Sequence, residues 1–315
     1  MRCPKCQFDH ELQTTECLKC GIVFSRYRPT VEPDPKQGSV ALPSPDTLHL
    51  SAPAIDRSDL IRELKYRALA LPLALLVTRL LARTPFQMAT AMLAMVLHES
   101  GHAITAWFTG RWAIPLLWVT PHGQERSWFI VVALTAAILF GGFYAWKTER
   151  WGWVYAAAAA LLLQIIYLSL PAEPLIIFCG DGGAFVLATL LMATFYAPRE
   201  SALYRTWGLR WGLLIIGALS FMHVFVLWNG PMEVLPFGEI EGVNLSDPSL
   251  LTEMYGWSVI QLVDRYIRLG TICLSALLAL YIWGLVSAYL ELRSGGLSSA
   301  QPHPSRVGRL AGRTE

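Results

Sequence analysis

Charge is what this sequence has least of. Lys, Arg, Asp and Glu together make up 15% of its 315 residues against 54% hydrophobic, with a mean hydropathy of +0.43. Soluble domains carry about 25% charged residues, so this balance excludes an ordinary soluble enzyme and points to an all-α polytopic membrane protein. The net charge of +2 is small and its basic residues are scattered, so no nucleic acid partner is expected. The first thirty residues also lack the basic start and apolar run of a secretory signal, which predicts an N-terminus in the cytosol. Cysteine is scarce beyond residue 20: Cys179 and Cys273 lie singly in apolar runs, which excludes a secreted disulfide scaffold.

The other four cysteines are concentrated at the start. Cys3 and Cys6 form CPKC, and Cys17 and Cys20 form CLKC, ten residues further on. Each pair suits a tight turn holding two thiolates on one tetrahedral ion, so residues 1–30 are expected to fold as a zinc ribbon around one structural Zn2+. A four-thiolate site is closed. Its role is therefore to fold a segment too short to build a core, and such a ribbon offers a surface for a cytosolic protein partner. Residues 31–58, with Pro33, Pro35, Pro43, Pro45 and Pro53, read as a flexible linker, after which Ser58 or Asp59 suits a helix N-cap.

Residues 59–292 are expected to form the membrane domain, and 293–315 a disordered tail. Apolar runs near the ~20 residues that span a bilayer fall at 85–108, 128–147, 152–170, 175–196, 210–228 and 269–290. The run at 67–83 is short, contains Pro72 and ends in Arg79 and Arg83, so it is expected to be an interfacial or re-entrant helix beside about six transmembrane helices. With six spans, Lys147, Arg150, Arg199, Arg205, Arg210 and the basic tail fall on the cytosolic side with the N-terminus. The acidic connection with Glu233, Glu239, Glu241, Asp247 and Glu253 falls outside. The expected location is a lipid bilayer of the bacterial inner membrane type, crossed several times.

Within one of these runs stands HESGH, residues 98–102. Helical positions four apart share a face, so His98 and His102 can present two imidazoles to one ion while Glu99 sits about 100° round the axis. That is the HExxH arrangement, two zinc ligands and a carboxylate that moves a proton rather than binding metal. Three ionisable groups within a span are costly unless compensated, although a trio bonding neighbouring helices is the plainer alternative. Ser100 and Gly101 leave room for a second helix. The third ligand is expected to be Asp181, the one charged residue between Leu175 and Pro198, set among Gly180, Gly182 and Gly183. A lone carboxylate there also suits helix packing or a proton relay. The depths agree, since HESGH lies two-thirds along its span and Asp181 a third along an antiparallel one.

These residues resemble the site-2 protease type of intramembrane zinc metalloprotease, whose marks are HExxH in one transmembrane helix and Asp-Gly in a later one. The resemblance covers roughly residues 85–196. It implies a zinc metalloendopeptidase with His98, His102 and Asp181 on a catalytic Zn2+, Glu99 as acid/base, and a transmembrane protein as substrate. The chain departs from the family pattern in two places. The Asn that commonly precedes the Asp motif has no counterpart in PAEPLIIFCGDGG, and two predicted spans separate the motifs where one is usual. An inactive membrane adaptor of the same fold, using the ribbon to bind a partner, is the alternative. A transporter would spread its polar residues over several spans instead of gathering them in two.

The segment 109–127, apolar but broken by Pro115 and Pro121, suits either a membrane-embedded hairpin beside the substrate or an interfacial loop with tryptophan anchors. Gln164 and His223 are expected to bond neighbouring helices.

Overall fold

The computed structural model describes residues 57–298 apart from 83, 86, 199–200, 202–203, 205, 239 and 242–243. The ribbon cysteines Cys3, Cys6, Cys17 and Cys20, the Pro-rich linker before residue 57 and the tail after residue 298 lie outside the described residues. The rest is helical, save one short pair of strands. In chain order the helices are α1 (Arg57–Leu81), α2 (Gln87–Phe108), α3 (Trp128–Lys147), α4 (Trp151–Ser169), α5 (Ala172–Ala193), α6 (Trp207–Trp228), α7 (Asp247–Glu253) and α8 (Val259–Ser298). Strands β1 (Ile240–Glu241) and β2 (Asn244–Leu245) pair antiparallel just before α7.

Five helices are long and apolar enough to cross a membrane: α3, α4, α5 with its extension to Tyr196, α6 and α8. Helix α2 has 22 residues, length enough to span, but His98, Glu99 and His102 lower its apolar average and it is not among the five. Proline sets one boundary: Leu170 ahead of Pro171 is extended at ψ 159°, which ends α4.

Helix α1 takes in the run at 67–83 but starts ten residues earlier and continues unbroken for 25 residues through Pro72; it is not among the five helices apolar enough to span. A proline removes the amide that would bond the carbonyl four residues back, here Ala68. The Tyr281 hydroxyl of α8 donates to that carbonyl at 3.1 Å, so the helix continues without an unmet acceptor. Helix α8 likewise runs to Ser298, past the expected domain end at 292.

Helix α5 is central and packs against α2, α6 and α8, while α1 lies against α6 and α8. Helices α3 and α4 pair mainly with each other and bury little, leaving Phe129 and Phe140 more than 70% exposed, as a lipid-facing pair would. At one end of the bundle Arg210, at the start of α6, grips Glu63 of α1 through both carboxylate oxygens at 2.7 and 3.0 Å. Arg67 donates to the same carboxylate at 2.8 Å, and Tyr204 at 3.1 Å. At the other end α6 closes on Trp228, eighteen residues and about 27 Å further along the helix.

Candidate metal centre

Helix α2 can bring its histidines to α5 because the two backbones touch. A Cβ on Gly183 would lie 2.5 Å from the Gly101 Cα, so only glycine permits the crossing. The HESGH face is thereby pressed onto the start of α5.

Both imidazoles are fixed by their Nδ1 atoms. His102 Nδ1–H donates to the Ile176 carbonyl at 2.7 Å, and His98 Nδ1–H donates to Asp181 Oδ1 at 2.9 Å. A proton on each Nδ1, shared with the acceptor it faces, leaves Nε2 with its lone pair available to an ion. The two Nε2 atoms point at one another, 3.0 Å apart. A third donor atom joins them, Asp247 Oδ2, at 3.2 Å from His98 Nε2 and 3.0 Å from His102 Nε2. Among the described residues His98, His102 and Asp247 are the group whose ligand atoms converge as metal ligands do. Three lone pairs meeting in a buried place repel unless a proton or a cation lies between them.

The donor set suits zinc. Nitrogen and oxygen ligands about 2.0–2.1 Å from a tetrahedral ion stand about 3.3 Å apart, close to the sides of this triangle. Asp247 Oδ2 is buried and has no hydrogen-bond partner, as befits an atom shaped to meet a cation. Beneath the triangle lies Gly180, where a Cβ would come within 2.6–2.7 Å of His98, His102 and Asp247 together.

Asp181, expected as the third ligand, stands elsewhere: it meets His98 at the ring nitrogen facing away from the triangle. Its other oxygen, Oδ2, accepts the Trp228 indole N–H at 2.7 Å. The expected depth match between HESGH and Asp181 is thus realised as a hydrogen bond, while the carboxylate facing both Nε2 atoms arrives from α7. No family model, curated protein or solved structure matches this chain.

Glu99 is 5% exposed and lines a cavity of about 220 Å³ with His98, His102, Asp247 and Thr120. The Thr120 hydroxyl donates to Glu99 Oε2 at 2.7 Å and lies 2.9 Å from the Glu99 carbonyl. Thr120 belongs to the 109–127 segment, which forms a hairpin: Ala113 bridges His122, and Ile114 N–H donates to Pro121 O at 3.1 Å. Its Ile114, Leu116, Leu117, Trp118 and Val119 are exposed. Arg111 pairs with Glu173 at its base.

Of the remaining polar residues, Gln164 accepts from Thr135 at 3.1 Å and donates to Val131 O at 3.3 Å, joining α4 to α3. His223 Nδ1 lies 3.3 Å from Thr90 Oγ1 of α2 and lines a second cavity, of about 90 Å³, with His98, Asp181 and Asp247.

Proposed function

We propose that this chain is an intramembrane zinc metalloprotease that hydrolyses peptide bonds in or near the transmembrane helices of membrane protein substrates. The observation that carries the reading is the convergence of two imidazole Nε2 atoms and a buried carboxylate oxygen, each imidazole having an acceptor at its Nδ1, with Glu99 lining the adjoining cavity. The likeness of HESGH and DGG to the site-2 protease motifs supports it.

His98 and His102 would hold the ion through Nε2. Bound zinc supplies Lewis acidity toward water and the scissile carbonyl. Glu99 would take a proton from the attacking water and return it to the leaving amine, with Thr120 holding its Oε2. A cavity of about 220 Å³ accommodates an extended stretch of peptide backbone together with water. A substrate helix must unwind to enter it, since helical peptide groups are hydrogen-bonded to one another. The hairpin tip, apolar on the outside and joined to Glu99 through Thr120, is placed to receive the unwound segment.

Under this reading α2 spans with the five more apolar helices, and the N-terminus lies in the cytosol with the Glu63 to Arg210 end of the bundle. The ribbon holds a second, structural zinc on Cys3, Cys6, Cys17 and Cys20 and offers a cytosolic partner its surface. The metal centre then lies toward the opposite membrane face.

The test is Glu99→Gln in the full chain, with membrane fragments compared by proteomics between wild type and variant. We expect the variant to keep its zinc and lose cleavage by a factor on the order of 10² or more. Cleavage at the wild-type rate would overturn the proposal.

A further inference from the structure

The two carboxylates at the centre differ in what they are free to do. Asp181 has both oxygens engaged, one by His98 Nδ1–H and one by the Trp228 indole N–H. Trp228 cannot easily release it. It is 1% exposed and stacked on Tyr266 at 4.1 Å between ring centroids, and the Tyr266 hydroxyl donates to the Phe178 carbonyl of α5 at 3.1 Å. Turning Asp181 toward the two Nε2 atoms would break both bonds and leave a buried indole N–H unpaired, at a cost of about 1–3 kcal/mol for that group alone.

Asp247 is the reverse case. Its Oδ2 faces both Nε2 atoms at 3.0–3.2 Å and makes no hydrogen bond. The segment presenting it is held on its own account. Ser249 Oγ accepts the Gly238 N–H at 2.7 Å and lies 2.9 Å from Ser246 Oγ, which in turn donates to the Pro236 carbonyl. Leu251 of the same turn is fully buried. The carboxylate is thus delivered by a pinned turn, and α5 contributes only the bare backbone of Gly180 beneath it.

We propose that Asp247, from the connection between α6 and α8, is the third protein ligand of the metal, and that Asp181 is a positioning residue that orients His98 through Nδ1. The assignment rests on the metal centre put forward above and moves the third-ligand role from Asp181, where the sequence put it, to Asp247. A carboxylate on a metal-bound histidine's far nitrogen fixes its tautomer and raises its basicity, and removing such a partner weakens metal binding about 10–100-fold without removing a ligand. Loss of a ligand has a larger effect. A further consequence is mechanical: the ion ties the α6–α8 connection to α2.

The experiment counts zinc in the purified full chain by mass spectrometry during titration with a chelator. Wild type and the variants His98→Ala, Asp247→Asn, Asp247→Glu and Asp181→Asn are compared. We expect His98→Ala and Asp247→Asn each to hold one ion fewer than wild type and Asp247→Glu to keep the full count. Asp181→Asn should keep the count but be stripped at about 10–100-fold lower free chelator. The reverse pattern, with the ion lost by Asp181→Asn and kept by Asp247→Asn, overturns the assignment while leaving the metal centre standing. An unchanged count in His98→Ala overturns the metal centre itself. Loss by Asp247→Glu as well as Asp247→Asn assigns the effect to disruption of the turn and also counts against ligation. Amide exchange in the wild type needs no variant: removing zinc should speed exchange across residues 244–253, and unchanged exchange there overturns the tie.

Discussion

At the level of single residues, the two imidazoles have their outer ring nitrogens committed and Asp181 has both oxygens committed. His102 is set by a backbone carbonyl and His98 by a carboxylate that is itself set by Trp228. Trp228→Phe should keep the stacking on Tyr266 but lose the indole donor, loosening Asp181 and so His98. We expect zinc to be stripped at about tenfold lower chelator, with an unchanged count in its absence; retention as tight as wild type would show that Asp181 needs no such support. The histidines and Glu99 were legible in the sequence because HExxH encodes one helical face. Asp181 was legible as a partner of that face, but the ring nitrogen it meets was not, since spacing does not fix which nitrogen a carboxylate faces. Asp247 carried no signal. It is one of several acids in a connection that reads as solvent-exposed, and only the folding back of α7 distinguishes it.

Among elements, the α2–α5 crossing matters most, and two glycines show why composition alone does not rank positions. Gly183 sits where a Cβ would meet the Gly101 Cα at 2.5 Å, whereas Gly141 of α3 has nothing within 4 Å. Gly183→Ala should force the helices apart and destabilise by about 1–3 kcal/mol, loosening the metal centre with it. Gly141→Ala should be neutral or stabilising by up to about 1 kcal/mol, since glycine is the poorer helix former. Thermal unfolding in detergent, with zinc retention, distinguishes the two. Five of the six expected runs coincide with helices long and apolar enough to cross a membrane, because an apolar run of about 20 residues has few alternatives. Two elements were less legible. Helix α1 continues through Pro72 because Tyr281, more than two hundred residues later, covers the carbonyl the proline frees. Helix α8 begins at Val259, ahead of its apolar stretch, with Asp264 and Arg268 paired on its exposed side at 2.8 Å.

For the molecule as a whole, buried polarity is divided between two ends with different purposes. One end gathers His98, His102, Asp181 and Asp247. The other holds Glu63 between Arg67 and Arg210, each 4% exposed or less, on helices α1 and α6 that are far apart in sequence. Breaking a buried ion pair by removing one partner leaves an uncompensated charge and costs about 3–5 kcal/mol. Glu63→Gln strands two arginines, so it should destabilise the fold by that order. Helix α6 separates this cluster from Trp228 by about 27 Å, well beyond the ~7–10 Å within which substitutions couple. Two outcomes follow if the charged cluster serves assembly and not catalysis. Folded Glu63→Gln should retain zinc as wild type does, and its destabilisation should add to that of Asp181→Asn within about 0.5 kcal/mol. Early loss of zinc from folded Glu63→Gln, or a larger departure from additivity, would mean that the two ends communicate along α6 and that the cluster belongs to the working site.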